Sequence, residues 1–206
     1  MRPAWSVLVI FGASGTGKST AAAEIGRHCG LPWMQVDDLR LTLQYSRATL
    51  PERTEQLYYF QETPDVWRQT PAELRQAFVN VAEIMAPALR TVIHSHVVTD
   101  VPLVIEGDGI LPALARDALL QPLVQDGTIR FCCIGTPSVN ELLVNMVARG
   151  RGIHSSDQDK HRQQSAANRA FGIWLETEAD RLGIPVVASQ PFETLPGRIL
   201  DAVSGV

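Results

Sequence analysis

Hydrophobic residues fall along this chain in two rhythms. Short continuous apolar runs occupy 5–11 (WSVLVIF), 102–106 (PLVIE), 128–134 (TIRFCCI) and 184–188 (IPVVA), with a briefer one at 31–36. Continuous runs rich in β-branched residues, without polar alternation, predict strands buried on both faces. Between them lie stretches of helical period: 18–29, stopped by Gly30; 39–45; about 137–149; 160–182; and 195–203. The longest opens at Thr70-Pro71, where Thr serves as N-cap, Pro fits the first turn and Glu73 follows. Phe78, Val81, Ala82, Met85, Leu89, Val92 and Ile93 then recur at helical spacing, and Pro87 predicts a kink. A further helix is predicted over 111–120. The segment 46–70 is irregular, with a short helix over 52–60, and 150–159 has no apolar face and reads as a mobile loop. Strands alternating with helices imply an α/β fold, a parallel sheet covered by helices on both faces in three layers.

At 206 residues the chain suits one core, or a core with a small lid, so 1–206 reads as a single domain. Hydrophobic residues make up 45% and charged ones 19%, which excludes a disordered chain. The net charge of −4 and the lack of any Lys/Arg run argue against a nucleic-acid partner. The first apolar run is too short to span a membrane, and cleaving it as a signal would destroy the loop that follows. A cytoplasmic protein without a membrane partner is expected. Cys29 and the adjacent Cys132 and Cys133 provide no disulfide framework and read as small buried apolar groups.

The chemistry begins at Gly12. Gly12, Gly17, Lys18 and Ser19 meet the pattern G-x-x-x-x-G-K-[ST], between a predicted strand and a predicted helix. Such a loop turns backbone N–H groups inward around a phosphate, and the next helix adds its positive end. Gly12, Ser14, Gly15, Thr16, Gly17, Lys18, Ser19 and Thr20 are the candidate cradle. Lys18 would reach the β- and γ-phosphates, and Ser19 would place its hydroxyl on Mg2+.

Ligands of open α/β sheets gather outside the carboxyl ends of the strands, so polar residues at those ends carry the next expectations. The second run ends in Asp37-Asp38, where a carboxylate accepts the proton of an attacking hydroxyl or holds a metal-bound water. Either residue could instead cap the next helix. Arg40 could clamp an acidic group of the acceptor. The third run ends in Glu106-Gly107-Asp108, an acid placed to orient Mg2+ beside glycines that admit the acceptor. Arg149 and Arg151 stand where a helix gives way to polar chain, placed either to close over the nucleotide or to complement a helix C-terminus.

These residues resemble the P-loop small-molecule kinases, the group that includes nucleoside monophosphate, shikimate and gluconate kinases. DDLR, EGDGI and ARGRG together are also similar to 2-phosphoglycerate kinase-like sequences. The resemblance implies a five-stranded parallel sheet in the order 2-3-1-4-5, an acceptor-binding segment over about 37–70 and a lid over about 149–160. It implies ATP and Mg2+, with Asp37, Asp38, Arg40, Glu106, Gly107 and Asp108 at the acceptor. Lys18, Asp37, Arg149 and Arg151 would be catalytic, and Ser19, Asp37 and Glu106 would serve the metal. Arg149 and Pro191 would flank the adenine. The function implied is phosphoryl transfer to a small acidic or phosphorylated metabolite, by a monomer or homodimer. An ATPase or nucleotide-binding regulator without an acceptor is the alternative. A GTPase is excluded by the absence of N-K-x-D, and the sole D-x-x-G, Asp180 to Gly183, precedes the last strand.

Overall fold

In the computed structural model, which describes residues 3–149 and 158–204, the apolar runs form five parallel strands. They are β1 (Val7–Phe11), β2 (Trp33–Gln35), β3 (Leu103–Gly107), β4 (Ile129–Gly135) and β5 (Val186–Ala188), in the order β2-β3-β1-β4-β5. The expected sheet and its order are therefore borne out.

The central strand shows why an unbroken apolar run was needed. Val7, Val9 and Phe11 enter one core with Met85 and Ile93 of α4 (Pro71–Val98) and Phe171 and Leu175 of α7 (Gln158–Arg181). Leu8 and Ile10 enter a second core with Ala22 and Ile25 of α1 (Lys18–Cys29) and Ile199 of α8 (Leu195–Ser204). The twofold alternation of a strand sends neighbours to opposite faces, and here both faces are covered. Cys132 and Cys133 divide between the same two cores, and burial pushes the Cys132 thiol up to about 12 and that of Cys133 further. Both are apolar filling, as their sequence context predicted.

Start and stop signals are largely borne out. Gly30 ends α1 in the left-handed conformation at φ 68°. Thr70 and Glu73 form a reciprocal capping box at the start of α4, which runs through Pro87 without interruption. The chain differs at two places. The helix predicted over 111–120 is a 3-10 turn, Pro112–Arg116, followed by α5 (Gln121–Gln125). Asp117 separates them: its backbone is extended, its carboxylate accepts from the Leu119 N–H, and Pro122 starts the next turn. The second strand, expected over 31–36, is shorter, because α2 (Val36–Tyr45) begins earlier and takes in Asp37 and Asp38.

The irregular segment contains α3 (Thr54–Glu62) and a 3-10 turn, Val66–Arg68, packed against α4 and α7. After β4, α6 (Val139–Arg149) returns toward the loop after β1. Among the described residues, no helix is long and apolar enough to cross a membrane.

Candidate active site

The loop after β1 has the backbone that its glycines predict. Gly15 and Gly17 have φ of 87° and 89°, a region costly for other residues. A Cβ on Gly17 would lie 2.9 Å from the Phe192 ring, so the loop is held from outside as well. Asn145 of α6 donates a 3.0 Å hydrogen bond to the Gly15 carbonyl. Helix α1 starts at Lys18 with no acidic residue in its first turn, which leaves its positive end available to an anion. Lys18 is only 5% exposed, and its ammonium donates to the Ala13 carbonyl at 2.8 Å, which also accepts from Thr16 Oγ1 at 2.9 Å. The lysine is thus satisfied by the loop's own backbone.

A cavity of about 240 Å3 opens beside the loop, lined by Gly15, Gly17, Thr20, Asn145, Phe192 and Leu195. Phe192 and Asn145 were not anticipated. Both act on the loop from distant parts of the chain, and a single Asn or Phe has no sequence signature for such a contact. Pro191 itself accepts a hydrogen bond from Arg198 at 2.9 Å, and Phe192, its neighbour, is the residue that meets the loop.

Across the β1–β3 tips lies a group of charges. Ile10 pairs with Glu106 and Phe11 with Gly107, so Glu106 leaves the sheet level with the start of the phosphate loop. Gly107 permits α2 to begin against β3: a Cβ there would lie 2.6 Å from Val36 Cβ. That close approach brings Asp37 toward Asp108. Asp37 accepts from Arg40 Nη2 at 2.9 Å, one turn along α2. Burial works against the guanidinium charge of Arg40, but Asp37, by charge and hydrogen bond, and then Asp108 outweigh it and raise its pKa. Asp38 is exposed and is rotated about 100° from Asp37 around the helix, away from this pairing. The N-cap of α2 is Gln35, so neither aspartate caps it.

Glu106 is 3% exposed. Burial raises the pKa of its carboxyl; Lys18 and the Ser19 hydroxyl pull it down, while Asp108 and Asp37 add to the rise. Asp108, half-buried, is raised by burial and by Asp37, against Lys18, Arg40 and its own backbone N–H. Lys18, Asp37, Arg40, Glu106 and Asp108 therefore sense one another as one electrostatic group. Beyond it, a second cavity of about 190 Å3 runs from Arg40 and Asp108 to an aromatic wall that includes Phe60, Trp67 and Phe78.

No family model matches the chain. It is 26% identical over 205 residues to the 2-phosphoglycerate kinase of Methanocaldococcus jannaschii, an alignment that covers 96% of this chain and 63% of that protein. The chain thus spans less than two thirds of its curated relative. Shikimate kinase from Acinetobacter baumannii, solved in complex with shikimate, superposes with a TM-score of 0.51 at 12% identity, covering 98% of this chain and 94% of that one. TT1252 from Thermus thermophilus gives 0.52 at 18% identity, covering 100% and 98%. The chain has the fold of the P-loop small-molecule kinases. The resemblance read from its motifs is borne out by strand order and superposition alike.

In this P-loop kinase fold, Arg149 ends α6, the helix that supplies Asn145 to the loop. Arg151 and most of the expected lid, 150–157, lie outside the described residues. Lys18, Ser19, Asp37, Arg40, Glu106 and Asp108 are brought together, while Asp38 stands apart. The aromatic wall escaped the sequence reading because its rings come from α3, the 3-10 turn, α4 and α7, and they meet only in the folded chain.

Proposed function

We propose that this chain transfers the γ-phosphoryl group of ATP to a hydroxyl of a small acidic or phosphorylated metabolite. The observation that carries the reading is the opposition of the phosphate loop to a second cavity. Lys18 and the α1 N-terminus stand on one side, Arg40 and Asp108 on the other, at adjacent strand tips. The kinase names of the archaeal relative and the Acinetobacter structure support the same chemistry.

The acceptor oxygen forms a new bond to the γ-phosphorus. The bond between that phosphorus and the β–γ bridging oxygen breaks, and ADP leaves with its electron pair. The hydroxyl proton passes to the Asp37–Asp108 pair; Asp108 is the member that lines the cavity and whose proton affinity is raised. Lys18 exchanges the Ala13 carbonyl for phosphate oxygens and steadies the charge spread over them. Arg40, held by Asp37, keeps donors for an anionic group of the acceptor. The nucleotide's base takes the cavity beside Gly15, Asn145 and Phe192.

Mg2+ fits the donors present. A hydroxyl and a carboxylate, Ser19 and Glu106, influence each other beside the Lys18 charge, and both supply the oxygen that this hard ion selects. Bound there, with Asp37 in reach of its water shell, it would neutralise charge on the phosphates. The test is ADP release with Mg-ATP across phosphorylated and unphosphorylated acids, sugars and nucleosides. Release that rises with one acceptor class and is abolished in Lys18→Ala supports transfer. Release indifferent to every acceptor supports an ATPase without one.

A further inference from the structure

A third cavity lies at the opposite, amino-terminal end of the strands, about 20 Å from the phosphate loop by the length of β4. It measures about 170 Å3, and its apolar walls include Val124, Ile184 and Val203. Two arginines, Arg116 and Arg130, also line it, and no acid does. Arg130 is out of keeping with its position. It belongs to β4, an interior strand, lies level with Leu8 of β1, and shares a face with Cys132 and Ile134, both wholly buried. Charged side chains seldom enter such places unpaired. Yet among the described residues neither arginine makes a hydrogen bond or an ion pair. Asp126 senses the Arg130 charge, but its Oδ1 accepts from the Thr128 N–H at 2.9 Å instead. The Arg130 guanidinium lies over the turn at Gly127, where a Cβ would fall 2.6 Å from Nη2.

The main chain gives a second, independent sign. β5 pairs with β4 only from Cys133 to Gly135, although β4 starts at Ile129. The Cys133 N–H donates to the Pro185 carbonyl at 2.9 Å, so the N–H and C=O of Phe131, two residues earlier, face the same side. Pro185 has no N–H to offer the Phe131 carbonyl. The chain before it turns away at Gly183, φ 71°, where α7 ends. Among the described residues no acceptor reaches the Phe131 N–H. Phe131 lines the cavity and is only 4% exposed, so both main-chain groups depend on what enters there.

Water can pair with a lone N–H and C=O, but it neither covers apolar walls nor balances two guanidinium charges. A carboxylate accepts from a guanidinium fork and from a main-chain N–H at once. Volume sets the tail, since an apolar cavity of about 150 Å3 takes up benzene. We infer that this cavity binds a small monocarboxylate with an apolar tail, of the size of benzoate or hexanoate, at a site separate from the phosphate loop and from the cavity beside Arg40. Arg130 and the Phe131 N–H hold the carboxylate, Arg116 adds charge at the rim, and the tail lies on Val124, Ile184 and Val203. A water beside the carboxylate serves the Phe131 carbonyl. The site requires neither nucleotide nor phosphoryl acceptor, so it stands or falls apart from the kinase reading.

The experiment titrates the full, isotope-labelled chain with benzoate, hexanoate, inorganic phosphate and benzyl alcohol, followed by amide NMR. Benzoate or hexanoate should shift the Phe131 amide saturably with a Kd of about 1 mM, within reach of so small a ligand, and leave the Gly15 and Gly17 amides in place. Benzyl alcohol should bind about tenfold more weakly. Benzoate should bind Arg130→Gln about tenfold more weakly too, the scale of one lost charge-assisted hydrogen bond. Arg116→Gln, at an exposed residue, should weaken binding about threefold, and it tests the charge whether or not the other variant folds. A Phe131 amide that stays still well above that concentration overturns the inference. So does equal affinity for benzyl alcohol, a Kd indifferent to every variant that folds, or a shift confined to the phosphate loop. Phosphate binding as tightly as the carboxylates would reveal a patch for any anion and overturn the assigned class.

Discussion

The proposed nucleotide side comes from one consecutive stretch, Gly12 to Thr20, whereas the cavity proposed for the acceptor draws on Arg40, Phe60, Trp67, Phe78, Asp108 and Phe171. The first would grip with backbone N–H groups and a buried lysine that its own loop holds. The second relies on side chains, with a charged mouth, an aromatic wall and an aspartate whose ionisation burial opposes. A backbone cradle binds any polyphosphate of the right shape, and side-chain walls choose one acceptor from many. On the proposed reading the contrast assigns phosphate binding to the loop and proton transfer and acceptor selectivity to the cavity, and substitutions on either side test that division.

The largest effect belongs to Lys18→Ala. Losing a charge aimed at the transferring group should lower ADP formation about 10²–10³-fold, while the melting temperature moves by only a few degrees. Turnover at the wild-type rate would remove the loop from the mechanism. Next comes Asp108→Asn, expected to reduce kcat about a hundredfold with ATP affinity little changed. Asp37→Asn should act less on kcat and more on acceptor KM, because Asp37 holds Arg40. The reverse ranking, read from steady-state kinetics of the two variants, would assign the proton to Asp37.

Gly107→Ala sharpens the comparison from the backbone. Its new methyl would meet Val36 Cβ at 2.6 Å and push α2 away, at a cost of about 1–3 kcal/mol in stability. Acceptor KM should rise about tenfold, and ATP KM should stay within about twofold. Equal losses on both sides, measured by varying each substrate in turn, would show that the two halves are not separable.

The smallest effect is a pH dependence. Glu106 and Asp108 have carboxyl pKa values raised in the folded chain, first by burial. Their contribution to stability is complete below the ordinary carboxylate range and is lost as pH rises through the raised values. The ligand-free protein should therefore lose melting temperature over that interval. Glu106→Gln should flatten the fall and melt a few degrees higher at neutral pH, at about 2–4 °C per kcal/mol. A steeper fall in the variant, followed by differential scanning calorimetry, would contradict the assigned cause.

Local signals proved reliable where their physics is local. Gly30 and the Thr70–Glu73 box ended or began helices as predicted, because caps are settled within one turn. The helix expected over 111–120 failed where Asp117, extended and bonded to Leu119 N–H, divided it between two prolines. An apolar pattern cannot register that division. Asp37 and Asp38 were both expected at a strand end facing the site, with the catalytic role given to Asp37. One extra turn of α2, allowed by Gly107, put Asp37 beside Arg40 and Asp38 in solvent.

By itself, the amino-acid order determined the strands, their burial and the phosphate loop, since each depends on neighbours a few positions away. Only the tertiary structure decided what faces the loop. Rings from α3, α4 and α7 and the acid after β3 are far apart along the chain, and no spacing encodes their meeting. Side-chain packing across the sheet's carboxyl edge made them one cavity, because burying those rings against one another required the helices that carry them to converge there.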